Sequence, residues 1–584
     1  MEPDVHIEEY TFDEQTLREV EESNRWVKDS WPVIYLLRNG ANNKREAYVG
    51  ESTNARNRMK QHLHGQYRKM QLMTIIGADT LNKSATLDIE SKLIEYMGPE
   101  GTYTLLNKMP GLKNHRYYQQ EIYEELFEHI WQKLKEKQVV QKDLGDIKNS
   151  EVFKFSPYKQ LNTDQYESLL TILEFLANDN ANTMIINGGA GTGKTVLAVY
   201  LMKLLTTKME DIQESEDVSE YGARFSKLLK GYLGIGDQSN NTQPSEEPRI
   251  GLVVAMSSLR KTLQRVFRDV PGLRRNMVIG PTDSFGTKKY DLLIVDEAHR
   301  LRRYKSIGWM GAFKKMNQRL GLGDEGTELD WIMHNSKKQI LFYDEAQSVR
   351  PSDVDKSTFA KLKHTVKIDL KSQMRVMGGN GYIQFIRNLL HVNTDQLSRY
   401  QDKNYDVLLF ETMQDLHHEI MNKEKKYGLC RMVAGFSWPW ISNKKSNAGS
   451  ADVTDIEIDG LQFRWNSKTE DWVHSENAVH EVGCIHTTQG YDLNYAAIIF
   501  GHEIDYDHEK GEITIDPDKY HDTNGKKSID DPAQLKEYIV NIYQTLMTRG
   551  IRGTYVYACN PRLRDYFREY LEVYADSRIT SYKL

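Results

Sequence analysis

The stretch TMIINGGAGTGKTVLAVYLMKLL, residues 183–205, joins an apolar strand to an apolar helix through a loop rich in glycine. Gly188 to Thr195 fits G-x-x-x-x-G-K-[ST] at every specified position, with Gly193 as the second glycine and Gly191 inside the loop. Glycines are needed there because backbone N–H groups must wrap phosphates, some at angles that only glycine takes cheaply. The spacing puts Lys194 within reach of the β- and γ-phosphates of ATP and gives Thr195 a hydroxyl for Mg²⁺. The N-terminus of the following helix adds a favourable partial charge.

Outward from this loop, strands and helices alternate from about Phe153 on: TMIIN, RIGLVVAM, DLLIVD and KKQILFYD, each followed by a helical pattern. This alternation predicts an α/β fold, a mostly parallel sheet wrapped by helices. DLLIVDEAHR is an apolar strand ending in Asp296 and Glu297. Carboxylates at the carboxyl end of such a strand lie at the crevice where nucleotides bind. Asp296 is expected to bind Mg²⁺ through water and Glu297 to polarise the attacking water. ILFYDEAQ ends in the same way, with Asp344 and with Gln347 as a γ-phosphate sensor. Residues 210–248, with QESEDVSE and GDQSNNTQPSEEP, read as a surface insertion. A second alternating region runs from Thr365 to the end.

These motifs resemble those of superfamily 1 helicases. LNTDQ places Gln165 where that superfamily keeps an adenine-recognising glutamine, and VVAMSSLRKTL is similar to its backbone-gripping strand and loop. YDEAQ resembles G-D-x-x-Q, with tyrosine for glycine; LKSQMR resembles the first arginine motif of the second lobe, with Arg375. HTTQGYDLNYAAIIFG, with Gln489, Gly490 and Asp492, resembles the motif that couples strand contact to hydrolysis. TLMTRGIRGTYVY resembles the last motif, whose arginine reaches the γ-phosphate: Arg549 first, Arg552 second. With MVAGFSWPW, the set is most similar to the Schlafen-like helicases, an uncharacterised family widespread in bacteria. DEAH resembles superfamily 2, but the other motifs fit superfamily 1 better. The resemblance implies two RecA-like lobes with ATP in the cleft, completed by arginines of the second lobe when it shuts. Such arginines are worth ~10³–10⁵ in rate in related phosphate enzymes.

Arg260, Lys261, Arg265, Arg268, Arg274 and Arg275, then Arg300, Arg302, Arg303 and Lys305, form basic runs after these strand ends. A basic run is ordinarily a solvated helix face; in this position it is expected to contact a nucleic-acid strand, which gains affinity without sequence preference.

Upstream, WPVIYLL and EAYVG are short strands, each with a tyrosine. ESTNARNRMKQHLHG then carries Arg56, Arg58, Lys60 and His62, SATLDIESKLIEYM carries Glu90, and LLN ends in Asn107. In this order the residues resemble a GIY-YIG nuclease domain, with Val33 where the first glycine stands. The family order maps to Tyr35, Tyr48, Arg58, Glu90 and Asn107. That resemblance implies that Glu90 holds one divalent metal, Mg²⁺ or Mn²⁺, and that Arg58 pairs with the scissile phosphate through its planar fork. Tyr35 or Tyr48 would activate water; His62, one turn after Arg58, would assist; Asn107 would fix local backbone. Glu95 is the rival to Glu90, and His64 to His62. The alternative is a small α/β domain whose tyrosines only pack and cap.

The organisation expected is an acidic N-terminal arm (1–30), a GIY-YIG-like nuclease domain (31–118), a helix and linker (119–152), and two RecA-like lobes (153–360 and 361–584). At ~150 residues per domain, 584 residues suit this count. A net charge of −6 excludes a uniformly basic coat, not local patches. Three scattered cysteines form no metal-spaced pair and suit a reducing compartment. No apolar stretch approaches the ~18 residues of a membrane span, and the acidic start is no signal peptide. A cytoplasmic, ATP-dependent nuclease-helicase acting on single-stranded or forked DNA is expected, in bacterial anti-phage defence or in repair, with the linker as a tether. The alternatives are an ATP-gated nucleic-acid sensor with little unwinding and an RNA-directed nuclease.

Overall fold

The computed structural model describes residues 5–39, 45–107, 120–159, 161–206, 248–285, 288–304, 310–323, 325–347, 352–442, 453–468, 471–488, 491–522, 526, 529 and 531–575. Nearly all of the 210–248 insertion lies outside them, as do Lys305, Gln489 and Gly490. Among the described residues no helix is long and apolar enough to cross a membrane.

The N-terminal sheet is ordered His6–Thr11, Leu72–Gly77, Val33–Arg38, Glu46–Ser52, Thr104–Leu105, antiparallel except for the last pair. Val33–Arg38 is apolar on both faces. Ile34 and Leu36 enter one core while Val33, Tyr35 and Leu37 enter the other, as the period of two requires. The described part of the expected arm, residues 5–30, packs on this sheet rather than standing apart. His6–Thr11 is an edge strand of this sheet, and the helix Glu14–Ser23 seals its Tyr35 face with Leu17 and Val20. The few apolar side chains among the acids are the ones that dock.

Both later sheets are six-stranded and parallel. The first is ordered Thr365–Leu370, Thr183–Gly188, Ser336–Tyr343, Tyr290–Asp296, Ile250–Val254, Val278–Ile279. The second is ordered Val482–Gly483, Cys430–Ala434, Leu493–Phe500, Gly550–Ala558, Asp406–Leu409, Glu572–Val573. Thr365–Leu370, which follows the expected lobe boundary at 360, pairs with the phosphate-loop strand and so belongs to the first sheet.

The connector is not a loose tether. Helix Gln120–Glu136 buries Trp131 and Leu134, Val139 and Val140 follow it into the interior, and Leu144–Asn149 and Glu151–Lys154 are helices. One continuous apolar cluster runs from Ile34 and Leu93 of the N-terminal domain through Trp131, Ile147 and Tyr158 to Met184 and Leu197 of the first lobe. Trp131→Ala is expected to cost about 3–5 kcal/mol, read as a lower denaturant midpoint at unchanged slope.

Candidate functional site

Two polar centres stand on this frame. The first lies at the carboxyl ends of the first-lobe strands. Gly191 and Gly193 take φ of +82° and +80°, so the loop curls as only glycine allows without strain. Lys194 Nζ donates to the carbonyls of Gly188 and Gly189 at 2.5 and 2.9 Å and lies 3.4 Å from Asp344 Oδ2. Gln347 Nε2 donates to that same oxygen at 2.5 Å, so Asp344 links the loop lysine to the third strand end. Thr195 Oγ1 donates to Asp296 Oδ2 at 2.8 Å, while Asp296 Oδ1 is buried without a protein partner. A hydroxyl, a carboxylate and one unanswered oxygen together fit a hydrated Mg²⁺. Gln165 is buried against the loop, its Nε2 3.4 Å from the Thr192 and Gly193 carbonyls.

Burial, then the neighbouring Glu297 charge, pushes the Asp296 carboxyl up. Burial also works on Glu297, but His299, 2.9 Å away, holds that carboxyl below the usual range.

The second lobe closes this centre. Arg375 forms an ion pair with Asp492, and Arg549 is buried among Arg375, Asp492, Glu297 and Arg300 with its Nε unpartnered. Burial, and the Arg375 charge after it, lower Arg549 to about 9. Arg552 instead lays its guanidinium over the Tyr427 ring at 4.8 Å. Gln373 and Met374 reach the phosphate loop as well: Gln373 Nε2 donates to Ala190 O at 2.7 Å, and the Met374 N–H to Gly191 O at 2.8 Å.

The second centre lies in the N-terminal domain. Tyr35 Oη and His62 Nε2 are 2.8 Å apart, the Tyr48 ring lies 5.2 Å from His62, and Tyr67 packs on Tyr48 at 4.3 Å. Arg58 and Glu90 act electrostatically on both Tyr35 and Tyr48. Burial raises Tyr35 well above the usual phenol value and, with the Glu90 charge, raises Tyr48 to about 12. Burial and then Arg58 lower His62 to about 3, so its ring is neutral and Nε2 can accept a hydrogen bond from the Tyr35 hydroxyl. Glu95 faces Lys159, Lys92 and Lys148, and exposed His64 lies 3.6 Å from Glu14; neither rival joins the tyrosines. A single carboxylate beside two phenols and a guanidinium fits one divalent ion. Asn107 pairs both ways with the Val49 backbone, accepting at 2.9 Å and donating at 2.8 Å.

The basic runs are less available than their composition implies. Arg260 donates to Val254 O, Arg265 pairs with Glu151, Arg268 with Asp269, Arg300 with Asp353 and Arg303 with Asp355. In the nuclease domain, Arg56 and Lys60 both pair with Glu21. Arg274 and Arg275 remain exposed.

Sequence reasoning missed Tyr67, Gln373 and the connector residues. Lys154 Nζ donates to Asp492 O at 2.8 Å, Asn149 Nδ2 to Tyr427 O at 2.9 Å, and Asn494 Nδ2 to Asn149 Oδ1 at 3.0 Å. Glu151 accepts from Thr262 and Arg265 of the first lobe. On the nuclease side, Phe153 packs on Tyr96 of the Glu90 helix at 4.7 Å. Neither a glutamine beside an arginine nor a lysine in a polar linker carries a signal for these contacts.

Comparison with known proteins agrees with the motifs. A family model described as Schlafen group 3, DNA/RNA helicase domain, matches residues 181–560, and one for the GIY-YIG catalytic domain matches residues 32–103. The uncharacterized protein YPL245W of Saccharomyces cerevisiae is 27% identical over 418 residues, 65% of this chain and 82% of that protein. Among solved structures, Bacteroides Pif1 bound to ssDNA aligns at TM-score 0.24 and 11% identity, over 73% of this chain and 97% of its own. A DEAD box protein from Methanococcus jannaschii aligns at TM-score 0.21 and 12% identity, over 71% and 93%.

A Cβ at Gly50, which pairs with Tyr35 across the sheet, would lie 2.3 Å from the Tyr35 ring. Gly50→Ala is therefore expected to displace Tyr35 and to lower strand cleavage by about 10²-fold or more. ATP hydrolysis, measured in parallel, should be unchanged.

Proposed function

The chain belongs to the Schlafen group 3 DNA/RNA helicase family and has a GIY-YIG catalytic domain ahead of the helicase domain, and on that premise we propose that it is an ATP-dependent nuclease-helicase acting on DNA. The observation that carries the motor reading is the meeting of Lys194, Asp344, Gln347, Thr195 and Asp296 with Arg375 and Arg549 of the other lobe. Lys194 would leave its carbonyls for the β- and γ-phosphates, with Gly188, Gly191 and Gly193 keeping the loop backbone close to them. Gln165 would recognise adenine and Gln347 the γ-phosphate. Thr195 and Asp296 would hold Mg²⁺, which would neutralise phosphate charge. Glu297, kept ionised by His299, would orient the attacking water. Arg549 has a buried charge and a free Nε, and the developing negative charge on the γ-phosphate would answer both. Gln489 and Gly490 are assigned strand coupling from the motif alone.

In the nuclease domain Glu90 would hold the divalent ion, Mg²⁺ or Mn²⁺, which would stabilise the leaving oxygen. Arg58 would pair with the scissile phosphate. Tyr35, its hydroxyl held by His62 Nε2, would orient the attacking water by accepting a hydrogen bond from it; the water oxygen would bond to phosphorus as the bond from phosphorus to the leaving oxygen breaks, its proton passing to solvent. A phosphate on Arg58 offsets the charge that helps to depress His62, so bound substrate raises the basicity of the acceptor. Tyr48 would hold the phosphate side of this group. Cutting powered by ATP suits the destruction of foreign DNA or repair in the cytoplasm.

The tests are direct. Lys194→Ala should abolish ATP hydrolysis, and Arg549→Ala should reduce it about 10³-fold or more, both with folding intact by circular dichroism. Glu90→Ala should abolish cleavage of single-stranded and forked DNA and spare ATP hydrolysis. Intact cleavage by that protein would remove Glu90 from the active centre.

A second reading, cleavage gated by ATP with little unwinding, is favoured by the connector. Its helices touch the Glu90 helix, the first lobe and the second lobe at once. Asn149→Ala loosens the second-lobe contact alone. Under the gating reading it should shrink the ATP effect on cleavage by roughly 5- to 150-fold while each activity persists separately. An unchanged ATP effect would leave the motor to drive cleavage by unwinding.

A further inference from the structure

The strand Thr365–Leu370 ends beside the phosphate loop, where Leu370 pairs with Gly188. The chain then passes to the second lobe, whose helix Gly379–Leu390 buries Tyr382, Ile386 and Leu389 in that lobe's core. Between the two, residues 371–374 form a strap pinned to the first lobe. Asp164, the residue before Gln165, accepts through Oδ2 the N–H groups of Lys371 and Ser372 at 2.7 and 2.8 Å. Gln373 Nε2 donates to Ala190 O at 2.7 Å, and Met374 N–H to Gly191 O at 2.8 Å. The next pin lies on the second lobe, where Met377 N–H donates to Ile551 O at 2.9 Å. Arg375 and Val376 stand between the two sets of pins.

Gln373 does more than hold the strap. Its Oε1 accepts from the Arg375 N–H at 2.8 Å while its Nε2 is on Ala190, so one carboxamide joins the phosphate loop to the main chain of Arg375. Turned over, the amide would set an oxygen against the Ala190 carbonyl and an NH₂ against the Arg375 N–H; the orientation described is the one that satisfies both partners. The approach is close. A Cβ on Gly191 would lie 2.1 Å from Gln373 Oε1 and 2.9 Å from Arg375 Cβ, so glycine is needed at 191 for this contact as well as for its φ. The strap meets the loop at carbonyls, and these contacts use none of the N–H groups that a phosphate needs. The Arg375 guanidinium is paired with Asp492. We propose that Gln373 is a positioning residue for ATP hydrolysis: it fixes the Arg375 main chain on the rim of the phosphate loop, so that the side chain alone has to turn from Asp492 to the γ-phosphate. This rests on the reading of the chain as an ATP-driven motor. A side chain that turns about a fixed main chain loses less freedom on reaching the phosphate than a loose segment would.

The test is a double-mutant cycle on the full chain, read as the kcat and KM of ATP hydrolysis, with single-turnover release of labelled phosphate for slow variants. Gln373→Ala should lower kcat about 10²-fold with KM for ATP nearly unchanged, as expected when an interaction made in the transition state is removed. In an Arg375→Ala background the same change should cost nothing further, because the two residues act as one unit. Gln373→Glu keeps the shape, cannot donate to Ala190, and should lower kcat likewise. Should the alanine variant fail to fold, the glutamate variant takes its place in the cycle. A fully additive loss in the Arg375→Ala background, a raised KM at unchanged kcat, or no change in either overturns the positioning role and leaves the motor reading standing. ATP hydrolysis that is absent from the wild-type chain, or undiminished by Lys194→Ala, overturns both.

Discussion

Lys154 is an amine taken out of water at the junction of the lobes. A buried charge is tolerable only while it is hydrogen-bonded and paired. Lys154 donates to the Asp492 carbonyl beside the Asp492–Arg375 ion pair, so the connector, the second lobe and the nucleotide cleft share one electrostatic node. The two sides of the connector differ in kind. Toward the nuclease domain and the first lobe it is joined through continuous apolar burial. Toward the second lobe it is joined mainly by polar contacts from Asn149 and Lys154. Polar contacts exchange readily for water and apolar cores do not. The connector is therefore bound to the nuclease domain and the first lobe by burial, and to the second lobe by a few hydrogen bonds.

The two chemical centres treat their arginines differently. In the cleft Arg549 is depressed by burial and then by the Arg375 charge. In the nuclease domain Tyr35 and Tyr48 hold Arg58 charged against its burial, and that charge helps to depress His62. Under the proposed function the cleft therefore lacks an anion that a γ-phosphate would supply, while Arg58 is set in its charged form before any phosphate arrives.

Much of this was legible in the chain because the relevant signals are local. Gly188 to Thr195, the carboxylates after DLLIV and ILFY, and the tyrosine–arginine–glutamate–asparagine order need only spacing and residue type. What stayed hidden depends on distant partners. The acidic start reads as solvated because charged residues separate Val5, Ile7, Phe12, Leu17 and Val20, all of them buried, and nothing local announces that Leu72–Gly77 needs an edge strand. Val139 and Val140 sit in a polar stretch that reads as a linker, yet both are buried. Thr365–Leu370 lies past the expected boundary because a crossover returns it to the first sheet, which strand order alone reveals. Arg549 and Arg552 are three residues apart in one motif, and only packing separates the cleft from the Tyr427 ring.

The arginines that pair inward have one more effect. Binding to a polyanion is driven largely by ions released when cations meet phosphates, one for each contact. Arg265, Arg268, Arg300, Arg303, Arg56 and Lys60 already have carboxylates as neighbours, so a passing duplex has to displace Glu151, Asp269, Asp353, Asp355 and Glu21 to use them. The chain carries its own counterions covalently. Six of its cations are partly neutralised before any polyanion arrives, which lowers the number of ions that their contacts with phosphate would release.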